Sequence, residues 1–226
     1  MEVALVIVAH PDDEVLGCGG TISLLSRKQA VHIVILGEGI SARYARREEA
    51  DRRALEHLQE EAREVASLLG AQSVEFEGLP DNRFDEVPLL AVVRRVERWV
   101  EALKPRALYT HHPGDLNIDH GITFRAVLTA TRPMQGCPVH DLYAFEVPSS
   151  TEWAFQRVSP VFRPNVFVDV SATIETKIRA MQRYAGEVRK SPHPRSPEAL
   201  RAGAERWGSV AGVEYAEAFE LIRSIR

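Results

Sequence analysis

Leu5 to Ala9 is an unbroken apolar run that passes straight into His10-Pro11-Asp12-Asp13-Glu14 and then a glycine cluster at Gly17, Gly19 and Gly20. A short apolar run closed by Pro and Gly reads as a strand buried on both faces, as in a parallel sheet covered by helices. The polar residues then sit at its carboxyl end, the edge at which open α/β sheets bind ligands.

The rest of the chain repeats the alternation. The pattern predicts a short helix over roughly 20–29 after a bend at the glycines, then a strand at Val31–Leu36 that ends in Gly37-Glu38-Gly39. Apolar residues at helical spacing run from about Glu48 to Leu69, stopped by Gly70. SVEFEGL is a third strand, followed by an irregular loop through Asp81 and Asn82. A helix over 89–103 ends before Pro105, and 106–112 is a fourth strand that also finishes in polar residues. Further on come a helix opening at Asp119-His120, strands near 142–147 and 165–170, helices over 171–184 and 197–207, and a terminal amphipathic segment, 214–222. Strands alternating with helices imply a single α/β domain with a Rossmann-like, mostly parallel sheet flanked by helices on both faces.

Composition narrows the class. With 45% hydrophobic residues in 226, the chain has enough apolar material for a core that needs no disulfide framework, and Cys18 and Cys137 lack CxxC spacing. A net charge of -4 offers nothing to nucleic acid or an anionic membrane. No apolar run approaches the roughly 20 residues needed to cross a bilayer, and no signal-peptide pattern opens the chain. A cytoplasmic setting is expected.

Three strand ends deliver His10, Asp12, Asp13 and Glu14, then Glu38, then His111, His112, Asp115, Asn117, Asp119 and His120 to one edge. Two imidazoles and one carboxylate form a hydrolytic zinc set that leaves a position for water. His10, Asp13 and His120 are the expected ligands of one Zn2+, since residues three apart across a tight turn both reach one ion. Asp12 then points elsewhere and is the expected general base. Glu14 and Asp119 are expected to orient the ligand histidines. The sequence leaves the roles of His111, His112 and Asp115 open. GCGGTI departs from a dinucleotide fingerprint, because Ile22 stands where its last glycine belongs.

AHPDDE after a buried strand, GCGGT beyond it, GEGISAR, THHPGDLNIDH and SPHPRS with GVEYAEAFE together resemble the PIG-L/LmbE family of zinc-dependent N-deacetylases over essentially the whole chain. The resemblance implies removal of the N-acetyl group from an N-acetylglucosamine-type small molecule. It gives His10, Asp13 and His120 the place of the zinc ligands and Asp12 that of the base. His193 resembles a late histidine that helps stabilise the tetrahedral intermediate, and Asn117 stands where several members have another histidine. Leu58 occupies the place of a sugar-clamping arginine, so Arg43, with Asp81 and Asn82, is the expected substrate contact. Trp153 is a candidate for stacking on a sugar, and Arg195 for either a carboxylate or the substrate. Family members assemble as homo-oligomers, often hexamers, which would let His193 or Arg195 act in a neighbouring subunit. Two other readings fit the same residues: a zinc amidohydrolase for another N-acyl substrate, such as a thiol conjugate or antibiotic, and a sugar-binding module without turnover.

Overall fold

The structure is a computed structural model that describes residues 2–226. Seven strands form one sheet: β1 (Val3–Val8), β2 (Ala30–Gly37), β3 (Ser73–Leu79), β4 (Ala107–His111), β5 (Asp141–Phe145), β6 (Val166–Asp169) and β7 (Ala216–Arg223). Six α-helices accompany them: α1 (Asp13–Leu25), α2 (Arg52–Leu69), α3 (Leu89–Leu103), α4 (Ile118–Ala130), α5 (Ile174–Arg183) and α6 (Pro197–Ala211).

The strand order is β3-β2-β1-β4-β5-β7-β6. The first five strands in sequence pair in parallel, and β7 pairs antiparallel with both β5 and β6. From β1 the chain builds outward through β2 and β3, then returns to lay β4 and β5 on the other side. That reversal falls between the carboxyl ends of β1 and β4, where an open sheet splits to admit a ligand.

β1 is buried on both faces because its side chains alternate between two cores. Ala4, Val6 and Val8 face the layer made by Leu58, Val65 and Leu69 of α2 and by Ile178 and Met181 of α5. Leu5, Ile7 and Ala9 face Val92, Val96 and Val100 of α3 and Ala126 and Val127 of α4. Leu58 is thus part of the core, remote from any sugar-clamping role.

The glycine cluster does not precede a helix; it lies within α1. That helix starts directly after the His10-Pro11-Asp12 turn and breaks at Cys18, whose φ of -148° and ψ of 25° are not helical. The groups freed by the break find partners from the other end of the chain. Glu217 of β7 accepts the N–H groups of Gly20 and Thr21 at 2.9 and 2.7 Å, and Lys177 of α5 donates to the Leu16 carbonyl at 2.9 Å and to Glu217 at 2.6 Å. Gly17 is required by packing: a Cβ there would lie 2.1 Å from the Phe145 ring. The terminal amphipathic segment is the antiparallel strand β7, and its Glu217 is what allows a glycine-rich helix to bend beside the sheet.

Candidate functional site: a two-histidine, one-carboxylate centre

The turn after β1 is built by the residues it displays. Asp13 Oδ2 accepts the backbone N–H of His10 at 2.8 Å, folding the loop back on itself, while the Asp12 carbonyl accepts from Val15 and Leu16 at 3.0 and 2.9 Å to open α1. Asp12 itself adopts φ 111° and ψ -28°, a left-handed backbone rare for any residue with a Cβ. Gly39, at φ 94°, lets the loop after β2 close on this turn; a Cβ there would meet the Pro11 ring at 2.8 Å.

The loop after β4 supplies the other half. Asn117 caps α4 by accepting the Asp119 N–H at 2.9 Å, which sets Asp119 and His120 in the first helical turn. His10, Asp13 and His120 then offer donor atoms that all lie within 4.8 Å of one another. Asp13 Oδ2 stands 3.4 Å from His10 Nδ1 and 3.4 Å from His120 Nε2. Bonds of about 2.0–2.1 Å at tetrahedral angles would hold donor atoms roughly 3.3–3.4 Å apart, and both distances from Asp13 Oδ2 are of that size.

Carboxylates behind the imidazoles support this orientation. His10 Nε2 lies 2.9 Å from Asp119 Oδ2, whose other oxygen accepts the Phe84 N–H at 2.9 Å. Asp115 Oδ2 lies 3.1 Å from His120 Nδ1, an ion-pair distance off the hydrogen-bond line, and Asp115 is held by Ser150 and Thr151. A ligand histidine tied by its far nitrogen to a carboxylate presents its near nitrogen to the metal. Asp81 also approaches His10 Nε2, at 3.3 Å, so a second acidic grouping shares that nitrogen on the side away from Asp13.

The electrostatics express one demand. Burial works against charge on His120, yet Asp13 and Asp115 raise its pKa to about 9. Burial opposes charge on His10 as well, and its hydrogen bonds to Asp119 and Asp13 push it above the histidine range. Asp13 is held below the carboxylate range despite burial, chiefly by the charge on His120. The cluster calls for positive charge at its centre, which protons on imidazoles or a divalent cation equally supply. His111 takes no part in that charge: burial, reinforced by His120, lowers its pKa to about 3. It stacks on His120 at 3.9 Å between centroids, and its Nε2 accepts the Ala9 N–H at 2.8 Å.

A cavity of about 430 Å³ opens over this centre, and His10, Asp12, Asp13, Arg43, Asp81, Asn82, Asn117, His120 and Arg195 all line it. His193 is not among the lining residues; its ring packs edge-on against Trp153, and its Nδ1 accepts the Arg195 N–H at 3.1 Å. Besides His193, the expectation for Glu14 changes. Glu14 touches neither His10 nor His120: it accepts the Asp12 N–H at 3.1 Å and the Tyr184 hydroxyl at 2.6 Å. Glu38 is taken by Arg47 at 2.9 Å. His112 faces Glu220 and the Pro160 carbonyl at 3.1 and 2.8 Å, away from the centre. Sequence reasoning left Asp115 without a role and missed Glu187, which lines the cavity and binds both Arg43 and Arg195.

A Rossmann-like sheet carries at its switch point two histidines and one carboxylate that could hold a metal ion, with a spare aspartate beside them, the make-up of a hydrolytic enzyme site. The family profile for GlcNAc-PI de-N-acetylase, PIG-L, matches residues 5–131, and the chain belongs to that family. It is 27% identical to a diacetylchitobiose deacetylase of Thermococcus kodakarensis, covering 98% of this chain and 83% of that protein. It is 32% identical to a 4-oxalmesaconate hydratase of Pseudomonas putida, over 81% and 73% of the two chains. The solved structure of the 4-carboxy-2-hydroxymuconate hydratase from Pseudomonas putida superposes with a TM-score of 0.78 at 25% identity, covering 100% of this chain and 98% of that one.

Proposed function

We propose that the protein is a zinc-dependent N-deacetylase that hydrolyses the acetamide of an N-acetylglucosamine-type small molecule to acetate and a free amine. The observation that carries the reading is the convergence of His10, Asp13 and His120 with the buried Asp12 beside them on the floor of one cavity. The family and the deacetylase relative give it its direction.

His10, Asp13 and His120 would hold the ion, which when bound supplies Lewis acidity and an acidic water. Asp12 takes the proton of the attacking water and returns it to the departing amine nitrogen. Asn117 lines the cavity and donates from Nδ2 to Asn82 Oδ1 at 3.0 Å; its second amide hydrogen would serve the developing oxyanion, while His193 would do so from a neighbouring subunit of a homo-oligomer. Arg43, Asp81 and Asn82 line the side of the cavity nearest the loop after β2 and would meet sugar hydroxyls. The setting is cytoplasmic in this reading. Both cysteines are free thiols, and no helix among the described residues is long and apolar enough to cross a membrane.

The hydratase relative favours a second reading, because the same base and cation could add water to an activated double bond. A zinc-loaded preparation assayed for amine release from N-acetylglucosamine, its conjugates and other N-acyl compounds separates the two. Release from amino sugars is expected. Hydration of an unsaturated acid with no amine released from any amide would overturn the proposal.

A further inference from the structure

We propose that Arg195 is a positioning residue, one that fixes the carboxylate of Asp12 for proton transfer with Ser149 and Glu187 as its braces; this rests on Asp12 being the base. The main chain of Asp12 is pinned on both sides, its N–H by Glu14 and its carbonyl by the start of α1. Pinning the backbone leaves the side-chain torsions to be set from outside. Arg195 sets them: Nη1 donates to Asp12 Oδ2 at 2.8 Å across 183 positions of sequence.

The guanidinium is itself held on two further sides. Nε donates to Ser149 Oγ at 2.7 Å and Nη1 to Glu187 Oε2 at 3.2 Å, while Glu187 Oε1 accepts from Arg43. The backbone beneath it is equally fixed. Arg195 immediately precedes Ser196, a fully buried residue that caps α6 by accepting the Ala199 N–H at 3.1 Å. The cap gives a rigid base, the two side-chain braces give a rigid head, and Asp12 is only 3% exposed where they meet. Arg43 then acts as the outer member of this chain through Glu187.

A guanidinium that serves the base through orientation affects the chemical step more than substrate capture. For R195A, loaded with zinc, kcat for amine release should fall about 100-fold with KM little changed, the size expected for a displaced catalytic group. Metal content should stay near the parent's, while the melting temperature falls, because Asp12 and Glu187 lose the cation they share. Guanidinium ion added in solution should restore R195A and leave D12A inactive. A crystal structure of R195A should find the Asp12 carboxylate rotated off its parental position. Parental kcat in R195A, a loss confined to KM, a loss that guanidinium does not repair, or an unmoved Asp12 carboxylate would each overturn the proposal. If R195A fails to fold, S149A and E187Q carry the test, with a smaller fall in kcat at unchanged KM expected. Should the parent release no amine from any acylated compound, the deacetylase reading falls by itself, and the Asp12 carboxylate position in R195A still decides this one.

Discussion

His10 Nε2 and Asp119 Oδ2 lie 2.9 Å apart, although 109 positions separate them in sequence. The contact joins the loop after β1 to the first turn of α4 and leaves His10 Nδ1 to face Asp13. Asp119→Asn should keep the fold, because the amide oxygen can still accept from Phe84, but it should weaken the hold on His10. Zinc affinity is expected to drop roughly 10- to 100-fold, measured by competition with a chromophoric chelator.

Chelation followed by reloading checks the cation directly. Dialysis against a chelator should abolish amine release, and added zinc should restore it; His120→Ala should lose both zinc binding and turnover, because one of three donors is gone. Activity that survives exhaustive chelation would remove the metal from the mechanism.

Asp12→Asn should separate binding from chemistry. The amide cannot take a proton at working pH, so a fall of about 10²- to 10⁴-fold in kcat is expected at unchanged zinc content. A variant that turned over at the parental rate would show that another group carries the proton.

Lys177 and Glu217 are a buried pair that serves the break in α1. Removing one partner strands the other's charge and frees the Leu16 carbonyl, so Lys177→Met should destabilise by about 3–5 kcal/mol in urea unfolding. The double variant with Glu217→Gln should lose less than the sum of the singles, since neither charge then lacks a partner.

Glu146 offers a pH test outside the His10, Asp13 and His120 cluster. Burial pushes its carboxyl above the usual range, against the opposing hydrogen bond from Trp207 at 2.6 Å. A carboxyl raised in the folded state favours folding most below its unfolded pKa of about 4.3, and that contribution is lost as pH rises through the raised value. Glu146→Gln, which still accepts from Trp207, should therefore match the parent in melting temperature near pH 4 and exceed it at neutral pH. An equal difference at both pH values would argue against a strained carboxylate.

How much of this was legible depended on the range of the interaction. β3 and α3 have the bounds that apolar periodicity predicts, because each is fixed by its own pattern of core-facing residues. The clustering of His10, Asp13 and His120 was legible because HPDD and NIDH carry their polar residues within a few positions. α1 was misplaced because its glycines read as a bend, and the partner that makes a glycine-rich helix possible, Glu217, lies 197 positions from Gly20. Glu14 was assigned to the histidines on proximity alone, whereas the turn directs it to Tyr184. Nothing local announced that Arg195 meets Asp12 or that Glu187 joins two arginines, since only the folded α5–α6 connection brings them to the cavity.

The inverted backbone of Asp12 costs on the order of 1–3 kcal/mol that a glycine would not incur. Asp12→Gly would relax the turn, leave Arg195 paired with Glu187, and discard the proposed proton carrier. Heat resistance and turnover are therefore rival selections at one torsion angle. A hardened descendant chosen for survival alone would be expected to drift toward silence at this position.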